Sequence, residues 1–537
     1  MESLRLENCG FCFSLPPLGQ LPSLKELTIA RMSNITNVGH EFYGECGSLS
    51  KPFESLETLR FEEMSELVQW VQLDAGEFSR LQKLEIIKCP NLIGDLPKKV
   101  PSLVRLNVEK CPGLVASLVS ATNIREVVLE ECKGVQFDMQ GESSVESLKI
   151  SSFASLEEFA SELFTLTNLK ELEVEDCPRL LPFREGMMCL NNLRNLSVRR
   201  CPKLELPLSV EMSHYYTSLE NLILSGCESL KSLPLGLFPK LQNLKIVDCI
   251  NFETLVIPEG IDFQNLTSLR TLEIYGCNNM AFFPCGGLPA PNLSLLSVWV
   301  CEKLKALPEQ MHTLLPSLQN LYLFNCLEIE SFPEGGLPSK LRCLLIANCK
   351  KLVGGRRDWG LQRLPSLTQF ALAGEPEDVV ESFPDERLLL PSTLTYLMIA
   401  TMPNLKSLNS RGLQLLGSLK RMEIYNCSQL QSLPEEGLPT SLFALKFWDC
   451  PLLKPRCRME EGEDWHKIAR VPVVSIDGEA IFDQVYLGPI GEASFKEGGC
   501  GLDSTRSALV SVGMRFHAFI LIWVHLWRLV VVVEVGR

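Results

Sequence analysis

From the first residues to about residue 450, the apolar positions of this chain follow one line, L-x-x-L-x-L-x-x-C. It is written about nineteen times at intervals of 21 to 32 residues. Clear copies read Leu81-Leu84-Ile86-Cys89, Leu169-Leu172-Val174-Cys177, Leu269-Leu272-Ile274-Cys277 and Leu442-Leu445-Phe447-Cys450. Within each copy, apolar and polar residues alternate. Leu272 and Ile274 face inward, while Thr271, Glu273 and Tyr275 face the other side. A period of two over five residues predicts a half-buried strand. After the cysteine the chain usually runs through a proline, a leucine and a Leu-Pro or Phe-Pro pair, as in Cys201-Pro202-Lys203-Leu204 and Leu230-Lys231-Ser232-Leu233-Pro234. Proline there disfavours a regular helix and predicts extended or 3₁₀ returns.

A strand and a return repeated every 24.5 residues on average is the leucine-rich-repeat period. No single copy can bury its apolar face, so the copies stack. The prediction is an α/β repeat solenoid: a leucine-rich-repeat horseshoe with a parallel β-sheet on the concave face and an irregular or 3₁₀ convex side. Residues 1–450 form the solenoid and 451–482 a C-terminal cap that closes with a strand at Val473-Val474-Ser475-Ile476. Residues 483–537 are a tail.

Several copies are degraded. Met32, Met64, Phe153, Glu375 and Met402 stand at the ninth position, and 375–390 is long and charged. The long interval after Met32 predicts that Asn34 to Ser50 protrudes as a loop. Phe516 to Val535 is twenty mostly apolar residues, long enough to span a bilayer, but holds Arg528 near its middle with His517, His525 and Glu534. A central Arg costs roughly 2.5–3.5 kcal/mol on the insertion scale. The tail is therefore expected to be non-structural, with a weak membrane segment at 516–535 as the alternative.

Cysteine changes the picture only after it is placed. Fourteen of the 21 cysteines occupy the ninth position, from Cys9 and Cys89 to Cys427 and Cys450. Stacking predicts a ladder of small apolar thiols in the turn leaving each strand. The odd count and lack of paired ligand clusters argue against zinc, and reduced thiols imply a reducing compartment. With no basic-then-apolar leader after Met1, the expectation is cytoplasmic. A net charge of −14 and pI near 5.2 argue against nucleic acid. The six histidines are scattered and there is no G-x-S-x-G elbow or phosphate-binding Gly-Lys-Ser/Thr loop, so the chain reads as a non-enzyme without cofactor or metal. The glycines of Phe283-Pro284-Cys285-Gly286-Gly287-Leu288-Pro289 and its two counterparts are turn glycines.

The outward strand positions divide the concave face. In the eight repeats with ninth positions 89 to 249, twelve of 24 outward residues are charged and none is aromatic. Glu171, Glu173 and Glu175 lie on one strand, beside Lys149 and Arg199. The next eight repeats hold four charges and seven aromatics: Tyr275, Trp299, Tyr322, Phe324, Tyr396, Tyr425 and Trp448. Tyr275, Trp299 and Phe324 share one position in successive repeats. These ten residues, three Glu and seven aromatics, are the candidate partner-binding residues. The aromatics read either as a binding hot spot or as a self-packed ladder that stiffens the sheet. The acidic half reads as a docking surface for a basic partner or as solvated charge.

The opening Leu4-Arg5-Leu6-Glu7-Asn8-Cys9 followed by Leu15-Pro16-Pro17-Leu18-Gly19-Gln20-Leu21-Pro22-Ser23-Leu24-Lys25-Glu26-Leu27 resembles the repeat region of plant coiled-coil nucleotide-binding leucine-rich-repeat (NLR) disease-resistance receptors. Phe53-Glu54-Ser55-Leu56-Glu57-Thr58-Leu59-Arg60-Phe61-Glu62-Glu63-Met64 is similar to that family's next block. Glu463-Asp464-Trp465-His466-Lys467-Ile468-Ala469 and Ile476-Asp477-Gly478 are similar to its C-terminal closure. The resemblance covers roughly residues 1–482. It implies a role in innate immunity, in which the repeats sense a pathogen effector or a guarded host protein and dock on a nucleotide-binding module. The chain carries no motif of that module, so signalling by this chain alone is not implied. Because solenoids need polar caps, the first repeat is expected to expose an apolar end, and residues 1–482 alone to aggregate or bind a partner through it. The rival reading is a ubiquitin-ligase substrate adaptor, which expects an F-box before Leu4. An extracellular ectodomain expects Asn at the ninth position and a signal peptide.

Overall fold

The computed structural model describes residues 1–44, 51–73, 76–97, 99–117, 123–136, 144–153, 166–180, 190–204, 217–257, 266–374, 380–384 and 389–483. Met1–Asp483 form one compact unit. The main sheet has 22 strands. Three are not repeat strands: Gly94–Asp95, Val473–Ile476 and Glu479–Asp483. The other nineteen run from Ser3–Glu7 to Ala444–Trp448, one per repeat, each paired in parallel with the next. The registers align the apolar positions, so Leu272 faces Leu296, Leu296 faces Leu321 and Leu321 faces Leu344. Inward residues are fully buried and outward ones partly exposed, as in Thr271–Tyr275 and Asn320–Phe324. The leucine-rich-repeat solenoid expected from the pattern is the observed fold.

Each strand ends on a backbone reversal. The residue before the ninth position is left-handed in repeat after repeat: Asn8, Lys88, Asp176, Asp248, Val300, Asn325 and Asn426 all have φ between 50° and 58°. This turns the chain inward and aims the amide of that residue at the next strand's last carbonyl, as in Asp248 N–H to Tyr275 O at 2.7 Å. The ninth-position cysteine then points into the core. Its thiol donates to the carbonyl two residues back, as Cys301 to Trp299 O at 3.6 Å, and in several repeats also to the preceding strand, as Cys326 to Val298 O at 3.5 Å. A larger polar residue would not fit, and an alanine would remove the thiol as a second donor to strand-end carbonyls such as Trp299 O, which also accepts from Gly276 N–H. Three residues on, an apolar side chain closes the turn, with Leu304 N–H on Cys301 O at 3.2 Å. Met32, Met64, Phe153 and Met402 are buried at the ninth position in place of cysteine.

The convex side has only short helices, such as Met311–Leu314 and Ser410–Gln414, 3₁₀ turns such as Leu361–Arg363, and two-stranded ribbons such as Ser232–Pro234 with Thr254–Val256. Among the described residues no helix is long and apolar enough to cross a membrane. The predicted segment 516–535 lies outside the described residues, as does Glu375.

One expectation needs correction. The described part of the segment predicted to protrude, 34–44, is packed into the core. Ile35, Val38, Phe42 and Tyr43 are buried, and Asn37–Val38 pairs with Gln69–Trp70. The reason is aromatic bulk: Phe42, Tyr43, Phe53, Phe61, Trp70 and Phe78 form one cluster with centroid separations of 4.8 to 6.4 Å. Tyr43 can be buried because its hydroxyl donates to Val71 O at 2.7 Å and accepts from Trp70 Nε1 at 3.0 Å.

At the C-terminal side, Val473–Ile476 pairs in parallel with Ala444–Trp448, and Glu479–Asp483 returns antiparallel. Asp464 ties this segment to the last return. Its carboxylate accepts from Leu433 N–H at 3.0 Å, Arg456 Nε at 3.1 Å and Lys467 Nζ at 2.8 Å, while Lys467 donates to Leu433 O. At the other side, Leu4 and Leu6 of the first strand are only partly buried, and Phe11 is 94% exposed.

Candidate protein-interaction face

The N-terminal half of the concave face is a lattice of ion pairs between neighbouring strands. Lys149 reaches Glu173 at 3.3 Å and Glu175 at 4.0 Å, and Arg200 reaches Glu175 at 2.7 Å. Glu85 is buried between Arg60 at 2.9 Å and Lys83 at 3.0 Å. Burial pushes its carboxyl up, but the hydrogen bonds from Lys83 and Arg60 outweigh this and hold its pKa below the usual value. The acidic character expected of Glu171, Glu173 and Glu175 is therefore largely answered within the face.

Glu171 begins a second feature. Asn195 Nδ2 donates to Glu171 Oε1 at 2.9 Å, Asn221 Nδ2 to Asn195 Oδ1 at 2.6 Å, and Asn243 Nδ2 to Asn221 Oδ1 at 2.6 Å. Thr271 Oγ1 completes the run by donating to Asn243 Oδ1 at 2.7 Å. All three amides point one way because the run starts on the carboxylate of Glu171, which accepts from Asn195. This ladder lines an open groove of about 650 Å³ together with Lys149, Ile223, Lys245 and Glu273. The sequence reading missed it, although Asn195, Asn221 and Asn243 occupy the same repeat position.

The C-terminal half is aromatic. Tyr275 and Trp299 lie with centroids 5.3 Å apart, Trp299 and Phe324 5.4 Å apart, in the strand register that pairs the three. Tyr275 is fixed further by its hydroxyl on Glu273 at 2.7 Å and by Lys245 Nζ 5.0 Å over its ring. Burial pushes its hydroxyl pKa upward, so it stays a neutral donor. Beyond the ladder the floor is small and apolar: Cys343, Leu345, Ala347, Ala371, Ala373, Met398 and Ala400 are outward-facing yet buried. Tyr322 stands at one side of this floor, and Tyr396, Tyr425 and Trp448 at the other. Tyr425 is buried, whereas the other six predicted aromatics keep part of their surface exposed. Trp448 packs on the C-terminal closure, since a Cβ added at Gly478 would come within 3.0 Å of its ring.

The structure thus brings the seven aromatics into two clusters, 275–324 and 396–448, separated by a floor of small residues, and places the three glutamates on the opposite half. Among the described residues no group of three or more His, Cys, Asp or Glu could hold a metal ion.

No protein-family model matches the chain. A putative disease resistance protein of Arabidopsis thaliana is 30% identical over 89% of this chain and 45% of its own length. A putative disease resistance RPP13-like protein of the same plant is 37% identical over 46% of this chain and 20% of its own length. The chain spans less than half the length of these relatives. A solved leucine-rich-repeat protein of Leptospira interrogans is 17% identical over 87% of this chain and 93% of that one, with a TM-score of 0.42.

Proposed function

For this leucine-rich-repeat relative of plant disease resistance proteins, we propose that the chain is a defence-response recognition module that binds proteins through its concave face. The observation that carries the reading is the unbroken run of nineteen parallel strands, whose outward residues form a continuous surface, in a chain related to disease resistance proteins over 89% of its length. Its partner is a pathogen effector or a guarded host protein, and the same face docks on a nucleotide-binding module. The six aromatics with exposed surface supply the affinity, because Trp and Tyr dominate interface energetics, while Tyr425 supports them from below, and the module works in the cytoplasm without catalysing a reaction. Packing among Tyr275, Trp299 and Phe324 supports this role by pre-ordering the rings, which lowers the entropy lost on binding.

The experiment is site-specific photo-crosslinking in challenged leaf tissue. A photo-reactive side chain at Trp299 should capture a challenge-dependent or host defence protein. The same group at Leu415, exposed on the convex side, should not. Equal capture at both positions, or none at Trp299, would contradict the proposal.

A further inference from the structure

The four repeat strands Gln369–Ala373, Tyr396–Ala400, Arg421–Tyr425 and Ala444–Trp448 carry only three charged residues on their concave side: Arg421, Glu423 and Lys446. Glu423 is 1% exposed and its acceptors are occupied. One carboxylate oxygen takes the hydroxyls of Tyr396 at 2.8 Å and Tyr425 at 3.0 Å, and the other takes Arg421 Nε at 2.7 Å and its Nη2. Burial pushes the Glu423 carboxyl up, but Arg421 and the two tyrosine hydroxyls outweigh it, so the group stays ionised. It offers no free acceptor to an incoming cation.

The two cations differ. Arg421 is oriented by Glu423 through Nε and Nη2, yet its side chain remains 53% exposed. Lys446 stands opposite Glu423 in the strand register, half-buried, with Nζ 5.6 Å over the Tyr425 ring. Burial holds its ammonium below the usual lysine range; a partly desolvated cation gains most from an incoming anion. This part of the face therefore carries a net charge of +1, in a chain of net charge −14. Directly beside it lies the apolar floor of Ala371, Ala373, Met398 and Ala400.

We propose that Arg421 and Lys446 form a carboxylate-recognition site, which holds an Asp or Glu of a protein partner while an apolar side chain of the same segment packs on the floor at Ala371. Ala371 lies in register with Met398 and Glu423, the carboxylate that holds the Arg421 guanidinium, so two strand spacings of about 4.7–4.9 Å separate it from that site, close to the span of three extended residues. The fitting motif is an apolar residue followed or preceded, three positions away, by an acidic one. Arg is suited to this because its planar fork binds carboxylates with fixed geometry. The site rests on the reading of the concave face as a protein-binding surface and specifies the chemistry of what binds there.

The test uses the full chain and a phage-displayed random dodecapeptide library. The enriched peptides should carry Asp or Glu three positions from an apolar residue, and higher ionic strength should weaken them. Lys446→Gln should weaken those peptides by at least about tenfold, and Lys446→Arg should restore most of the loss. Lys446 is used because removing Arg421 would leave Glu423 buried without its cation and endanger the fold. A library that yields no binder, yields peptides without acidic bias, or yields peptides indifferent to Lys446→Gln overturns the site. If such indifferent peptides are lost in Trp299→Ala/Phe324→Ala, the concave face remains the binding surface and only the carboxylate chemistry fails.

Discussion

Asp464→Asn should open the C-terminal end of the solenoid while leaving the repeats before it folded. The Asp464 carboxylate is 1% exposed and Lys467, its nearest cation at 2.8 Å, is 10% exposed. Replacing the carboxylate leaves that ammonium buried without its counter-ion and weakens the hold on Leu433 N–H and Arg456. Removing one partner of a buried pair costs about 3–5 kcal/mol. Arg456 is about one-third exposed and relaxes into solvent, so the lower end, about 3 kcal/mol, is the expectation. That raises the opening constant roughly a hundredfold. Because neighbours in a solenoid are coupled mainly to each other, the loss stays local. Hydrogen exchange followed by mass spectrometry should show it as faster exchange in 453–476, with strand Asn320–Phe324 unchanged. The same ion pair sets a pH limit. Burial pushes the Asp464 carboxyl up, but hydrogen bonds from Arg456, Lys467 and Leu433 N–H lower its pKa overall. A folded-state pKa below the unfolded value of about 3.9 gives stability that is full above that value and lost as pH falls through the folded pKa. The wild-type closure should hold at pH 5 and above, and open only in acid below about pH 4. Protection in 453–476 that is unchanged by Asp464→Asn at neutral pH would refute the reasoning.

Two further outcomes follow from the turns leaving the strands. Val300 has φ of 52°, a conformation costly for a β-branched residue, where Gly276 stands in the preceding repeat with φ of 64°. Val300→Gly should raise thermal stability by about 1 kcal/mol; a lowered melting temperature would show that the Val300 side chain contributes more than its backbone costs. Burial pushes the thiol of Cys277 up to about 12, so it should resist a thiol reagent until the chain unfolds. Cys12 and Cys285, which are exposed, should react first. Prompt modification of Cys277 in the native protein would contradict the ladder.

The repeat strands and the position of the thiol ladder were legible because both follow from a local period: adjacent residues cannot share a face of a strand, and a fixed interval cannot avoid stacking. The packing of 34–44 was not legible. A long interval reads as a loop, and only the assembled fold shows Phe42 and Tyr43 meeting Phe53 and Phe78 from other parts of the chain. The stack of Tyr275, Trp299 and Phe324 was legible from their shared repeat position, but the burial of Glu423 depends on hydroxyls from two strands. The amide ladder from Glu171 to Thr271 lay within reach, since Asn195, Asn221 and Asn243 recur at one position, but its continuity depends on side chains of five strands meeting end to end. Lys149 was legible beside the Glu171, Glu173 and Glu175 strand, but the pairing of Glu175 with Arg200 was not, because Arg200 sits in the turn that leaves the next strand.

The central claim is that ordered aromatic rings on the concave face bind a protein. The most direct measurement compares wild type with Trp299→Ala/Phe324→Ala for co-purification of the protein crosslinked at the concave face, with hydrogen exchange recorded on the same samples. The account predicts that binding is lost while strands Thr271–Tyr275 and Cys343–Ala347 keep their protection. Binding that survives the double substitution, or exchange protection that collapses along both strands, would mean that the rings stiffen the sheet and recognise nothing.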